Sequence, residues 1–157
     1  MATTKARNEL PLPELLITEV LQKVSNAKTK KEKVELLQKY NSDALRSILI
    51  WNFDESLTSA IPEGEVPYTP NEAPVGTDHT RLFKEFKGLY RFIVGGEPKL
   101  NRIRRETMFI QLLENLHKDE AELVCLVKDG ALQDKYRVTK AVVSEAFPQI
   151  QWDRRKK

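Results

Sequence analysis

Residues 98–148 read PKLNRIRRETMFIQLLENLHKDEAELVCLVKDGALQDKYRVTKAVVSEAFP, and this stretch decides the fold. Its first half has apolar residues at steps of three and four, which is typical of a helix with one buried face. The pattern predicts a long helix up to about residue 116 and makes it the most buried helix of the protein. The residues of this stripe are Ile103, Thr107, Met108, Phe109, Ile110, Leu112, Leu113 and Leu116.

Two shorter helices follow in the same stretch. Asp119 is a suitable N-cap for the first of them, because its carboxylate can accept a backbone N–H. Gly130 is a suitable C-cap, since glycine adopts the left-handed conformation that often ends a helix. Thr139 can cap the last helix, and Pro148 lies where that helix should end.

The N-terminal half contains four further helical patterns. Apolar residues predict a first helix around residues 15–24, a second over about 29–40 and a third over about 42–56, with Ser42 as its N-cap. A fourth is predicted over about 79–93. No segment alternates convincingly between apolar and polar residues, so the fold class is all-α. We predict a compact single-domain bundle of about seven helices.

The domain organisation follows from the polar and proline-rich segments. Residues 1–9 are expected to be a disordered arm, residues 10–150 one helical domain, and residues 151–157 a basic tail. A loop over 57–78 interrupts the domain. It contains four prolines and two glycines, which exclude a helix across it and predict an extended segment over the surface.

Composition excludes several classes of protein. The single cysteine, Cys125, cannot form an intramolecular disulfide, which favours a reducing, intracellular compartment. The polar N-terminus lacks a signal peptide, and no apolar run is long enough to span a membrane. We therefore expect no membrane association.

Residues that usually carry catalysis or bind metals are scarce. His79, His117 and Cys125 do not have the spacing of metal ligands, and no nucleophile–histidine–acid set stands out. Lys128-Asp129-Gly130 resembles the Lys-x-Asp-Gly adenylation motif, but the spacing differs by one residue. The sequence therefore predicts a non-catalytic protein with no cofactor, no metal and no small-molecule substrate.

The distribution of charge is strongly asymmetric although the net charge is only +3. Residues 54–78 hold six acidic residues and no lysine or arginine, which is a local net charge of −6. Residues 81–105 hold eight cations and two acids, a local net charge of +6. Two adjacent segments of opposite sign indicate a basic surface beside an acidic loop, unless they arise by chance.

Several cations precede or occupy the first turn of the long helix, where the helix dipole disfavours positive charge. One explanation is screening by Glu97 and Glu106. The other is an anionic partner, such as the phosphate backbone of a nucleic acid. The four cations are Lys99, Arg102, Arg104 and Arg105.

The order of these features resembles the all-helical N-terminal DNA-binding domain of ATP-dependent DNA ligases from T-even-type tailed phages. The opening pair of helices, LITEVLQKVSNAKTKKEKVELLQKY at 16–40, is similar to the start of that domain. A proline- and glycine-bearing loop comes next in both. The closing segments, 104–130 and 138–148, are similar to its final helices and end at the aromatic–proline pair Phe147-Pro148. The chain also looks like small proteins of marine T-even-type phages.

The resemblance implies a fold and DNA binding, but no ligation, because the catalytic domain is missing. The ligase domain carries Cys-Gly-Ala-Ser before its last helix, where Gly and Ser approach the DNA backbone. Arg137 stands at the Gly position and Thr139 at the Ser position of this chain. Thr139 retains a hydroxyl for a phosphate, whereas Arg137 replaces close backbone approach with a cation.

Two functions follow as hypotheses. The first is a non-catalytic phage module that binds duplex DNA through its backbone, without sequence readout. The second is an adaptor, regulator or virion component that binds a phage or host protein through the 57–78 loop. Both place the protein in the cytoplasm of the infected bacterial host or in the virion. The candidate DNA-binding residues are Lys84, Lys87, Arg91, Lys99, Arg102, Arg105, Arg137 and Thr139.

Overall fold

A computed structural model describes residues 15–72 and 80–150. The predicted arm at 1–9, the basic tail at 151–157 and residues 73–79 of the predicted loop lie outside the described residues. The start of the predicted fourth helix, residue 79, lies outside them as well.

The described residues form seven α-helices and no β-strand, which confirms the all-α prediction. Only isolated bridges of one residue pair occur, such as that between Ser59 and Ile93. Two short 3₁₀-helices follow α4 and α6, at Phe86–Phe92 and Leu132–Asp134. The α-helices are α1 (Ile17–Asn26), α2 (Lys30–Lys39), α3 (Asp43–Phe53), α4 (Leu82–Glu85), α5 (Arg102–Asn115), α6 (Lys118–Lys128) and α7 (Lys140–Ala146).

Side-chain caps define most helix starts. Ser42 accepts the amide of Leu45, and Thr139 accepts that of Val142, as predicted. Asp119 was the wrong choice for α6: the N-cap is His117, whose Nδ1 accepts the amide of Asp119 at 3.1 Å. The helix begins two residues earlier than an aspartate cap requires, because the imidazole substitutes for the carboxylate.

Gly130 ends α6 as predicted, with a φ of +68°. Its amide donates to the carbonyl of Val127, and the amide of Ala131 donates to Leu126 at 2.8 Å. This pair of bonds is the Schellman arrangement, which requires a residue in the left-handed conformation at this position. Gly130 therefore has a structural role, as the residue that ends α6.

The centre of the bundle is α6, which packs against α1, α3 and α5. The prediction that α5 is the most buried helix is wrong. Within α5 only Phe109 and Leu113 are buried, and Ile103, which the stripe included, is 79% exposed. The reason is that α5 lies on the outside of the bundle, so only one narrow strip of its surface faces α6 and the first 3₁₀-helix.

A buried carboxylate joins three parts of the fold. Glu120 lies in the first turn of α6 and is fully buried. Its two oxygens accept the amide of Ile17 at 3.0 Å and the amide of Leu82 at 2.9 Å. These are the first residues of α1 and α4, whose amides lack acceptors within their own helices. Glu120 thus fixes the starts of two other helices.

The described part of the loop, residues 57–72, contains no helix and is bonded to α6 and α5. The side chain of Lys128 has no solvent exposure and donates to the carbonyls of Pro62 and Gly64 at 3.0 and 2.8 Å. Further along, the amide of Thr69 donates to Glu114 at 2.9 Å. This part of the loop is therefore attached to the bundle at several points.

Among the described helices, none combines the length and the apolar character that a membrane span requires.

Candidate nucleic-acid interface

The first group of predicted site residues lies on α4 and the 3₁₀-helix that continues it. Lys84 and Lys87 are exposed, and neither contacts an acidic side chain of the described residues. Arg91 is half-buried, and its guanidinium lies 5.3 Å from the ring centre of Tyr90. The two lysines are therefore available to an anion, whereas Arg91 is partly engaged by an aromatic ring.

The next cations lie at the start of α5. Arg102 donates to Glu106 at 2.9 Å, so screening by Glu106 explains this residue. Lys99 and Arg104 are exposed and have no acidic partner among the described residues. Glu97 accepts the backbone amide of Lys99 at 3.4 Å and makes no ion pair with its ammonium group. Screening by an acidic side chain therefore does not explain why Lys99 and Arg104 stand near the N-terminus of α5, where the helix dipole disfavours positive charge.

Arg105 has a different role from its neighbours. It is half-buried, and its guanidinium donates to the carbonyls of Arg91, Glu97 and Leu100 at 2.9, 3.1 and 2.8 Å. These bonds hold the turn between the 3₁₀-helix and α5 against the start of α5. Arg105 is one of the predicted DNA-binding residues and Arg104 is not, although nothing in the sequence distinguishes the two.

We call residues 84–104 the basic segment. Besides its cations, it contains all three large apolar side chains that are exposed in the described part of the chain: Tyr90 at 45%, Val94 at 61% and Ile103 at 79%. Exposed apolar groups among unpaired cations are typical of surfaces that contact a partner. The basic segment is therefore the strongest candidate interface.

Arg137 and Thr139 lie elsewhere, in the turn before α7. The backbone N–H of Arg137 donates to the hydroxyl of Ser25 at 3.0 Å, and its carbonyl accepts the Lys33 ammonium at 2.5 Å. The turn is thereby attached to α1 and α2. The hydroxyl oxygen of Thr139 caps α7 by accepting the amide of Val142 at 3.3 Å, which leaves the hydroxyl proton to be donated elsewhere.

Two exposed lysines at this second location are not among the predicted DNA-binding residues. Lys28 and Lys31 lie at the α1–α2 connection and have no acidic partner among the described residues. Lys30, between them, pairs with Glu145 at 3.1 Å. The contacts of Arg137 with Ser25 and Lys33 bring the turn before α7 to this part of the chain. We call Lys28, Lys31 and Arg137 the second basic group.

Cys125 is the single thiol, and its surroundings suppress its reactivity. It lies half-buried in a concave region with Tyr68 and Glu122. Burial raises the pKa of Cys125 to about 11, an effect that the nearby Lys128 only partly offsets. Burial also raises the pKa of Tyr68. The thiol is therefore protonated near neutral pH, which disfavours its use as a nucleophile.

Within residues 15–72 and 80–150, no group of three or more histidine, cysteine or acidic residues is placed to hold a metal ion.

Over residues 15–72 and 80–150, these observations define an all-α fold with two groups that contain exposed cations without an acidic partner there. Over residues 20–134 the chain matches DUF6433, a family of unknown function, and it belongs to that family. The match covers the segment from α1 to the second 3₁₀-helix, including the whole basic segment. No curated protein and no solved structure matches the chain significantly.

Proposed function

We propose that this protein is a non-catalytic module of a tailed phage that binds duplex DNA through its backbone, without reading base sequence. The observation that carries the proposal is the set of exposed cations in the basic segment that have no acidic partner in the described residues. A polyanion with closely spaced phosphates supplies the missing counter-charge and releases its own bound ions.

The composition of the proposed interface favours contacts with phosphates over contacts with bases. Lysines account for three of the unpaired cations, Lys84, Lys87 and Lys99, and lysine contacts phosphate as a point charge. Contacts of this kind position a protein on DNA without selecting sequence. The resemblance to the ligase DNA-binding domain supports the same partner and adds Arg137, in the second basic group.

A second candidate is binding to a phage or host protein. The exposed side chains of Tyr90, Val94 and Ile103 favour it, since apolar groups at a surface are typical of protein interfaces. Residues 57–72 of the predicted partner-binding loop are less suited to bind a protein, because Lys128 and Glu114 hold them against the bundle.

The test is a titration of a 20-base-pair duplex with the full chain at several salt concentrations, followed by fluorescence anisotropy. Affinity should be about micromolar or weaker at physiological salt and nearly independent of sequence, because no base edge is read. The logarithm of affinity should fall with the logarithm of salt by about 0.9 per phosphate contact, so about four contacts give a slope of −3 to −4.

Charge-matched variants locate the contact. Lys84→Ala with Lys87→Ala should flatten the slope by about two units, since two phosphate contacts are lost. The Lys28→Ala, Lys31→Ala double variant tests in the same way whether the second basic group contacts phosphates. Lys39→Ala with Lys118→Ala removes the same charge from residues outside both groups and should leave the slope unchanged. No binding at low salt would end the DNA proposal and leave the protein-binding candidate.

A further inference from the structure

The start of α5 forms an exposed corner with an apolar tip. Residues 101–104 are all exposed, and Ile103 is the most exposed large apolar side chain of the described residues, at 79%. Ile103 precedes Phe109 by six positions, which at about 100° per residue places the two side chains about 120° apart around the helix. Ile103 therefore points away from the strip that packs into the core.

Two arginines flank this tip. Because neighbouring helical residues differ by about 100° in direction, Arg102 and Arg104 project to opposite sides of Ile103. Arg104 has no acidic partner in the described residues, and Arg102 is 79% exposed although it contacts Glu106. Proteins that bend DNA from the minor groove insert apolar side chains, isoleucine among them, between base pairs and use arginine and lysine in the same groove.

The corner is also held rigidly. Asn101 caps α5 by accepting the amide of Arg104 at 2.8 Å, and Thr107 donates to the carbonyl of Ile103 at 2.9 Å. Arg105 fixes the preceding turn through its three carbonyl contacts. A binding side chain acts best on a pre-organised support, and these hydrogen bonds provide one for Ile103.

We infer that Ile103 is an apolar wedge that enters the minor groove of duplex DNA between two base pairs, while Arg102 and Arg104 contact the phosphates on either side. This inference rests on the proposed DNA binding and adds a consequence to it. Inserting the wedge unstacks one base step and bends the duplex. Binding then favours steps that unstack easily, such as TA, over stiff A-tracts, although no base edge is read.

The experiment uses a 20-base-pair duplex with a central TA step, 2-aminopurine beside that step and a fluorophore pair at the ends. On adding the full chain at low salt, 2-aminopurine fluorescence should rise as stacking is lost, and energy transfer should increase as the ends approach. Ile103→Ala should abolish both signals and weaken binding by about ten-fold, the order expected for losing a buried isoleucine. Its salt slope should stay that of the parent, since no cation is removed.

Two further variants complete the test. Ile103→Leu keeps the apolar bulk and should restore both signals. Gln22→Ala shortens an exposed, uncharged side chain on α1, outside the corner and both groups of cations, and should behave as the parent does. A parent that binds with the expected salt slope but without bending would overturn the wedge and preserve DNA binding. Bending that survives in Ile103→Ala would also overturn the wedge. A parent that does not bind at all would overturn both proposals.

Discussion

Helix α6 and the basic segment use the same kinds of charged side chain in opposite ways. In α6, Glu120 and Lys128 are buried, and each meets two backbone groups from distant parts of the chain. In the basic segment, Lys84 and Lys87 are exposed and meet no acidic group of the described residues. The first pair organises the fold, whereas the second adds little to it and is available to a partner.

The difference shows that partners, not the number of charges, decide what a charged residue does. A buried ion is tolerated only when hydrogen bonds satisfy it, so removing it leaves its partners unsatisfied. An exposed lysine remains hydrated in the folded and unfolded states, and its removal changes stability little. Substitutions in the two regions should therefore separate effects on folding from effects on binding.

The largest effect is expected from Glu120→Ala. It leaves the buried amides of Ile17 and Leu82 without acceptors, and each such amide costs about 1–3 kcal/mol, so stability should fall by about 2–6 kcal/mol. Urea unfolding followed by circular dichroism measures the change. Glu120→Gln retains one carbonyl acceptor, so its free energy of unfolding should lie between those of the parent and of Glu120→Ala. A Glu120→Ala variant as stable as the parent would mean that water replaces the carboxylate.

Phe109→Ala should cost about 3–5 kcal/mol, the usual cost of removing a buried aromatic side chain. Phe109 is 1% exposed, and its ring meets that of Phe92 edge-on at 5.1 Å between centroids. Because this contact supports the 3₁₀-helix within the basic segment, the variant should also weaken DNA binding. Thermal melting and anisotropy together test the link. Unchanged affinity in a clearly destabilised variant would show that the basic segment does not depend on this packing.

Lys128→Met should have an intermediate effect of about 1–3 kcal/mol, because the carbonyls of Pro62 and Gly64 lose their buried donor. The effect should be local as well, since the loop over 57–72 loses its attachment to α6. Chymotrypsin should then cleave near Tyr68 faster than in the parent. Lys118→Met is the control, because its contact with Glu72 is long, at 3.7 Å, and exposed. Equal cleavage of the Lys128→Met variant and the parent would exclude the attachment.

The smallest effect on stability is expected from Lys84→Ala with Lys87→Ala. Removing two exposed lysines should change the free energy of unfolding by no more than about 0.5 kcal/mol. The same variant should have a large effect on the salt dependence of DNA binding. A marked loss of stability, measured by urea unfolding, would show that these lysines belong to the fold, and the contrast with α6 would disappear.

Much of the fold was predictable because its signals are local. Ser42, Thr139 and Gly130 were recognised from residue type and position relative to apolar patterns, and the structure confirms their caps. The absence of period-two alternation was enough to predict an all-α protein. Such signals depend on the nearest few residues and need no knowledge of the tertiary fold.

The errors arose where tertiary contacts decide. Ile103 fitted the stripe of α5 by spacing, but the helix lies at the edge of the bundle, and its first turns extend beyond the core. Arg105 was indistinguishable from Arg104 because its three carbonyl partners come from a turn whose path is not encoded locally. Lys28 and Lys31 belong to a connection that meets the turn at Arg137 through contacts with Ser25 and Lys33. These contacts join residues 112 and 104 positions apart, so local sequence does not reveal them.

The two hydrogen bonds of Glu120 also constrain the order of folding. Ile17 is 103 residues from Glu120 along the chain, and Leu82 is 38 residues from it. Neither bond can form until a long loop has closed, which makes such contacts late and slow relative to local helix formation. Once formed, they tie the two amides to one side chain. Hydrogen exchange at Ile17 and Leu82 should therefore occur through the same opening event, and the start of α1 should open together with α4 although they are far apart in sequence.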